Sequence, residues 1–188
     1  MKSNGTCRGR LNARGYEQVE GSHYASDSIA APVTNLITVR TVLMLWCMNP
    51  RWTSAIIDVE GAFLQGHFEN GEELYMEVSD GFERHYSGDV VLCMSVPIYG
   101  TKQAVYCYFK TFKRHVRNMT YTHSQADPCL YFAWGDNALV ILLAWVDDIM
   151  VLGPPLLVEQ VQHDLEKAFT CKHKGELTEY VGSNLTFT

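Results

Sequence analysis

Disulfide spacing, a membrane-length apolar run and an excess of positive charge are all missing from this sequence. Its six cysteines (Cys7, Cys47, Cys93, Cys107, Cys129 and Cys171) include no Cys-x-x-Cys pair and stand mostly in apolar surroundings. That pattern argues against a zinc site or a disulfide framework and for reduced, buried thiols in an intracellular protein. The longest apolar run covers residues 138–146, far short of the ~20 residues a membrane helix needs, so no membrane partner is expected. The opening MKSNGTCRGRLNARG is polar and basic and lacks the apolar segment of a secretory signal, so the expectation is a protein that is not secreted. Fifteen Lys and Arg stand against 21 Asp and Glu, a net charge of -6. A global electrostatic footprint for nucleic acid is thereby excluded, and any such contact must rest on local patches.

What is present is a globular composition, 47% hydrophobic and 19% charged over 188 residues, the size of one domain with a real core. There is no internal repeat and no low-complexity segment. The first thirty residues are loop-like and carry a small basic cluster, Arg8, Arg10 and Arg14, which by itself reads as a solvated lead-in. TNLITVRTVLMLWCMN predicts a helix, with Leu36, Val39 and Leu43 at helical spacing behind Thr34 as the cap. TSAIIDVEGAF predicts a short apolar strand ending in Asp58, and LYMEV and DVVLCMSV predict two more extended segments. From about Lys102 a helix is expected, with Phe109, Phe112 and Val116 on one face and a basic opposite face. DPCLYFAWGD and ALVILLAW read as consecutive strands joined by a turn at 135–137, PPLLVEQVQHDLEKAF as an amphipathic helix, and GELTEYVGSNLTFT as a terminal hairpin. The order predicts an α+β fold, a sheet with helices packed on one face.

One stretch resists a purely structural reading. LLAWVDDIMVLG, residues 142–153, sets Asp147 and Asp148 side by side in an otherwise apolar run. Burying an unpaired carboxylate costs several kcal/mol. Either the pair is a solvated turn between two strands, or the turn aims two carboxylates into a cleft where a divalent cation supplies the missing charge. Asp58 has the same context, at the end of an apolar strand. Two-metal phosphoryl transfer needs carboxylates converging from rigid strands, because cations roughly 3.5–4 Å apart must share oxygen ligands. Spacing alone does not make Asp58 and Asp147 neighbours.

IIDVEGAFLQGHFENGEELYMEVSDGF, IYGTKQA, DPCLYF and AWVDDIMVLG, in this order, resemble successive blocks of the reverse transcriptase of copia-type retrotransposons. RGRLNARGYEQ, APV at 31–33 and Arg40 resemble the fingers portion before them, and GELTEYVGSNLTFT resembles the lead-in to the primer grip. The resemblance covers essentially the whole chain. It implies a fingers-palm domain over 1–188, with partial fingers in about 1–50 and an antiparallel-sheet palm with intervening fingers elements in about 51–188, and without the thumb. It also implies the catalytic carboxylates Asp58, Asp147 and Asp148, two Mg2+ ions (with Mn2+ as the alternative), and, as metal ligands, Asp58, Asp147 and Asp148 with the backbone carbonyl of Val59. The amides of Gly61 and Ala62 would approach the triphosphate. Phe63 would crowd the sugar 2′ position and so favour deoxynucleotides; without the resemblance it reads as a core aromatic. Gln103, preceded by Lys102, would contact the nucleotide after the Tyr99–Gly100 turn, and Arg10 and Arg14 would meet phosphate.

The implied partners are an RNA or DNA template with its primer, deoxynucleoside triphosphates, and the RNase H and integrase portions of a Pol polyprotein. The implied location is a cytoplasmic virus-like particle with access to the nucleus. The chain departs from the family pattern at Trp145, where a Tyr is usual, at Val105 to Tyr108, in place of Pro-Arg-x-Trp, and at CMSVP (93–97), where basic residues are usual. Each lost cation weakens binding to a nucleic-acid backbone. A non-catalytic remnant that keeps the fold and a residual binding role is therefore the competing expectation.

Overall fold

The computed structural model describes residues 9–69, 71–86, 88–135, 138–175, 177, 179–180 and 183–184. Along them run three helices, α1 (Leu36–Cys47), α2 (Ala104–Asn118) and α3 (Pro155–Ala168). The ten strands are β1 (Thr53–Val59), β2 (Leu74–Glu77), β3 (Val91–Met94), β4 (Thr122–His123), β5 (Leu130–Gly135), β6 (Ala138–Trp145), β7 (Asp148–Gly153), β8 (Cys171–Gly175), β9 (Glu179–Tyr180) and β10 (Ser183–Asn184). The chain divides into two compact units, one within Met1–Ala30 and Phe63–Tyr108, the other within Ala31–Ala62 and Phe109–Thr188.

The second unit is built on a six-stranded sheet in the order β4-β5-β6-β7-β1-β8, antiparallel at every pairing. Its central strands TSAIIDV, ALVILLAW and DIMVLG are apolar at successive positions rather than alternate ones. Strands of that composition must be covered on both faces, and they are. On one face Val39 and Val42 of α1 pack in a cluster with Ile56, Ile141, Leu143, Met150 and Leu152. On the other, Tyr131 meets Phe112 of α2 edge-on at 5.9 Å, and Phe112 lies 5.8 Å from Phe169, the residue after α3. The expectation of helices on one face is corrected accordingly: the unbroken apolar runs had already required cover on two.

Helix α1 begins one residue later than expected. Asn35, not Thr34, is its N-cap, with Asn35 Oδ1 accepting from the Ile37 amide at 2.9 Å. Thr34 is buried and its hydroxyl donates to the Ala144 carbonyl at 2.7 Å, tying the helix start to the sheet. Strands β4 and β8 were not foreseen, being short or polar. The terminal hairpin is present as β9 paired with β10, while Gly182 and the 136–137 turn lie outside the described residues.

In the first unit, β2 and β3 form an antiparallel pair from the two expected extended segments. Two glycines let the chain pass close to itself. Gly100 has φ +89, and a Cβ there would sit 2.2 Å from the Ala13 carbonyl oxygen; one on Gly15 would sit 2.0 Å from the Gly100 oxygen. The Ala13 amide donates to the Tyr99 carbonyl at 2.7 Å across this approach. Among the described residues no helix is long and apolar enough to cross a membrane.

Candidate functional site

Strand register decides which carboxylates meet. In the β1–β7 pairing Asp58 stands directly opposite Asp148, so their side chains leave the same face of the sheet. Asp147 lies in the two-residue turn between β6 and β7, where Trp145 pairs with Asp148. Its backbone oxygen accepts the Val59 amide at 2.8 Å, which fastens the turn to the end of β1. Two-residue hairpin turns need positive φ, and Val146 supplies it at +53°. For a β-branched residue that conformation is strained by about 1–3 kcal/mol and persists only where the surroundings impose it.

Like charges directly across a strand pair repel, and a cation answers them here. Lys174 Nζ lies 2.9 Å from Asp58 Oδ1 and 2.7 Å from Asp148 Oδ1. Its bond to Asp148 holds the ammonium above its ordinary pKa range. Asp147 is raised above the usual carboxylate range, first by burial and then by repulsion from Asp148 and Asp58. Three carboxylates less one ammonium leave two uncompensated negative charges when all are ionised. Among the described residues no group of three or more His, Cys, Asp or Glu converges to hold a metal ion. What converges is a pair of carboxylate oxygens on one cation. Gly61, just beyond β1, has φ +60, and Glu60 pairs with Lys172 beside it.

Ala62, the residue after Gly61, is buried in the second unit, and the first unit holds the remaining sequence candidates. The Tyr99 ring is shared: Phe63 packs on it at 5.0 Å between centroids and the Arg10 guanidinium lies 4.6 Å over it. Gln103 is fully buried. Its Nε2 donates to the His23 carbonyl at 2.6 Å and to Glu72 Oε1 at 2.7 Å, and its Oε1 accepts from Gln18 Nε2 at 2.9 Å. The Lys102 amide donates to Gln18 Oε1 at 2.7 Å, and its ammonium lies 5.2 Å over Tyr24. Arg14 is turned to Glu17 at 3.4 Å on the surface. Sequence reasoning missed Lys174, Gln18 and Glu72. Lys174 sits in a polar strand with no periodic signal, and the other two are identified only by contacts distant in sequence.

A family model described as reverse transcriptase (RNA-dependent DNA polymerase) matches residues 1–188. The chain is 32% identical over 192 residues to the retrovirus-related Pol polyprotein from transposon TNT 1-94 of Nicotiana tabacum, covering 98% of this chain and 14% of that protein. It is 28% identical over 176 residues to the retrovirus-related Pol polyprotein from transposon RE1 of Arabidopsis thaliana, covering 93% and 12% respectively. A putative transposon Ty5-1 protein of Saccharomyces cerevisiae is 25% identical over 130 residues, covering 69% of this chain and 42% of that one. No solved structure matches. The chain thus spans about one seventh of the first relative's length.

Proposed function

Because the chain belongs to the reverse transcriptase (RNA-dependent DNA polymerase) family, we propose that it is the polymerase domain of a copia-type Pol polyprotein. In this reading it adds deoxynucleotides to a primer 3′-hydroxyl on an RNA or DNA template. The observation that carries the reading is the placement of Asp58 opposite Asp148, beside a strained turn bearing Asp147. The six-stranded sheet belongs to the palm of a right-handed polymerase, and about residues 1–50 to its fingers. RNase H and integrase portions are its polyprotein partners, and a cytoplasmic virus-like particle is its setting.

The donor set suits a small hard cation. Mg2+ keeps several waters and is commonly bound by one or two carboxylates together with substrate phosphates. Two carboxylate oxygens already sharing one cation meet that requirement without a third protein ligand. Asp58, Asp147 and Asp148, with the Val59 carbonyl, would hold the ions. The chemistry that Mg2+ or Mn2+ supplies in such a site is activation of the attacking hydroxyl and neutralisation of charge on the leaving phosphates. This chain's part is positioning. The hairpin fixes the carboxylates, and the amides of Gly61 and Ala62 donate to the triphosphate.

Phe63, stiffened by Tyr99, blocks a 2′-hydroxyl. Arg10, Arg14 and Lys102 supply charge for phosphate, and Gln103, released from its partners or through them, orients the nucleotide.

The competing reading is a remnant without turnover, favoured by the Lys174 ammonium between the carboxylates. Primer extension on a short RNA template with Mg2+, comparing the chain with Asp147→Asn, separates the two. Extension by the parent that the variant loses is expected; no extension from folded parent protein overturns the enzymatic reading. In the same assay Phe63→Ala should incorporate ribonucleotides that the parent rejects, and unchanged rejection removes the ring from that role.

A further inference from the structure

The register of β8 singles out one residue. Against β1, His173 pairs with Ile57 and Gly175 with Ile56, so Lys174 is the extra residue of a β-bulge. Regular pairing would have set Lys174 opposite Ile56. Bulges bend a strand and re-aim a side chain, and they recur beside active sites. Gly175 absorbs the distortion with φ +88. The Lys174 side chain, on the face of Asp58, reaches across β1 to bond both Asp58 and Asp148. Lys172, two residues earlier and directly opposite Asp58 in the register, goes instead to Glu60.

We propose that Lys174 is a tethered counter-cation that must leave before a divalent ion binds Asp58 and Asp148, and so sets the metal concentration the domain requires. This rests on the polymerase reading of those carboxylates. An ion held by these two oxygens would lie about 2.0–2.1 Å from each, in the space the ammonium now uses, and like charge forbids both together. Displacement is feasible because the Lys174 side chain is 48% exposed and its four-carbon stem lets the head swing into water. Until then Lys174 relieves the repulsion between facing carboxylates and preserves the metal-free hairpin.

The test is a Mn2+ titration of the full chain, with free aqueous Mn2+ read by electron paramagnetic resonance, in the parent, Lys174→Met and Asp58→Asn. Lys174→Gln, which keeps a polar stem, is the second substitution. Mn2+ binding that Asp58→Asn abolishes, and that Lys174→Met or Lys174→Gln tightens about tenfold, is the expected result, on the modest strength of part-exposed ion pairs. Asp58-dependent binding that is unchanged or weaker in both Lys174 variants overturns the counter-cation and leaves the polymerase reading standing. No Asp58-dependent binding in any folded variant overturns that reading and this inference with it.

Discussion

Asp147 is held where its charge is least welcome, in a turn pinned by Val59 and beside two further carboxylates. Burial and repulsion raise its pKa, so the folded state takes up a proton more readily than the unfolded chain. Its contribution to stability is therefore best below its ordinary pKa and is lost as pH rises through the raised one. Above its ordinary pKa the carboxyl therefore costs the folded state stability relative to a neutral side chain. Asp147→Asn, the substitution expected to abolish extension, should accordingly raise the thermal midpoint by a few degrees at pH 7 in the absence of metal. The gain should shrink toward pH 4, as differential scanning calorimetry would show; a lower midpoint at pH 7 contradicts the placement. Stability surrendered for a charged site is a common mark of function. The pair Asp147 and Asp148 was legible in the sequence because two charges interrupt an apolar run. Lys174 was not, because a lysine among polar neighbours is indistinguishable from a solvated one until register places it.

Elements were legible wherever composition and period agreed. The helices at 36–47, 104–118 and 155–168 and the long strands of the sheet follow apolar spacing. The capping residue was misplaced by one because Thr34 and Asn35 are both good caps, and burial of the Thr34 hydroxyl against Ala144 decided between them. Two-sided cover of the sheet follows from its unbroken apolar strands, yet it became evident only once Tyr131 and Phe112 were seen together. The Tyr99–Gly100 turn before α2 depends on the absence of a side chain. Gly100→Ala would add a Cβ 2.2 Å from the Ala13 oxygen at φ +89, whereas Gly21→Ala, at φ +81, would meet nothing within 4 Å. Both pay for a left-handed backbone, about 1–2 kcal/mol. The prediction is a larger drop in the urea midpoint for Gly100→Ala than for Gly21→Ala; equal drops would mean that Ala13 and Gly100 are not packed as described.

For the molecule as a whole, the two compact units are interleaved along the chain, each assembled from separated segments. Such a partition arises from contacts remote in sequence, so a linear reading supplies the ordered motifs and not the grouping of their residues. The charge deficit, -6 overall, takes on a local meaning in the second unit, where two facing carboxylates, Asp58 and Asp148, share one ammonium beside Asp147.

Strand β8 matters for association as well. It ends the six-stranded sheet as described, and its exposed positions carry Lys172, His173 and Lys174. An open edge offers unpaired amides and carbonyls to a strand from another molecule. Here the bulge at Lys174 breaks that row, while the opposite edge, β4, is only two residues long. A bulged edge strand and a two-residue one are both features that discourage a sheet from pairing sideways with a copy of itself.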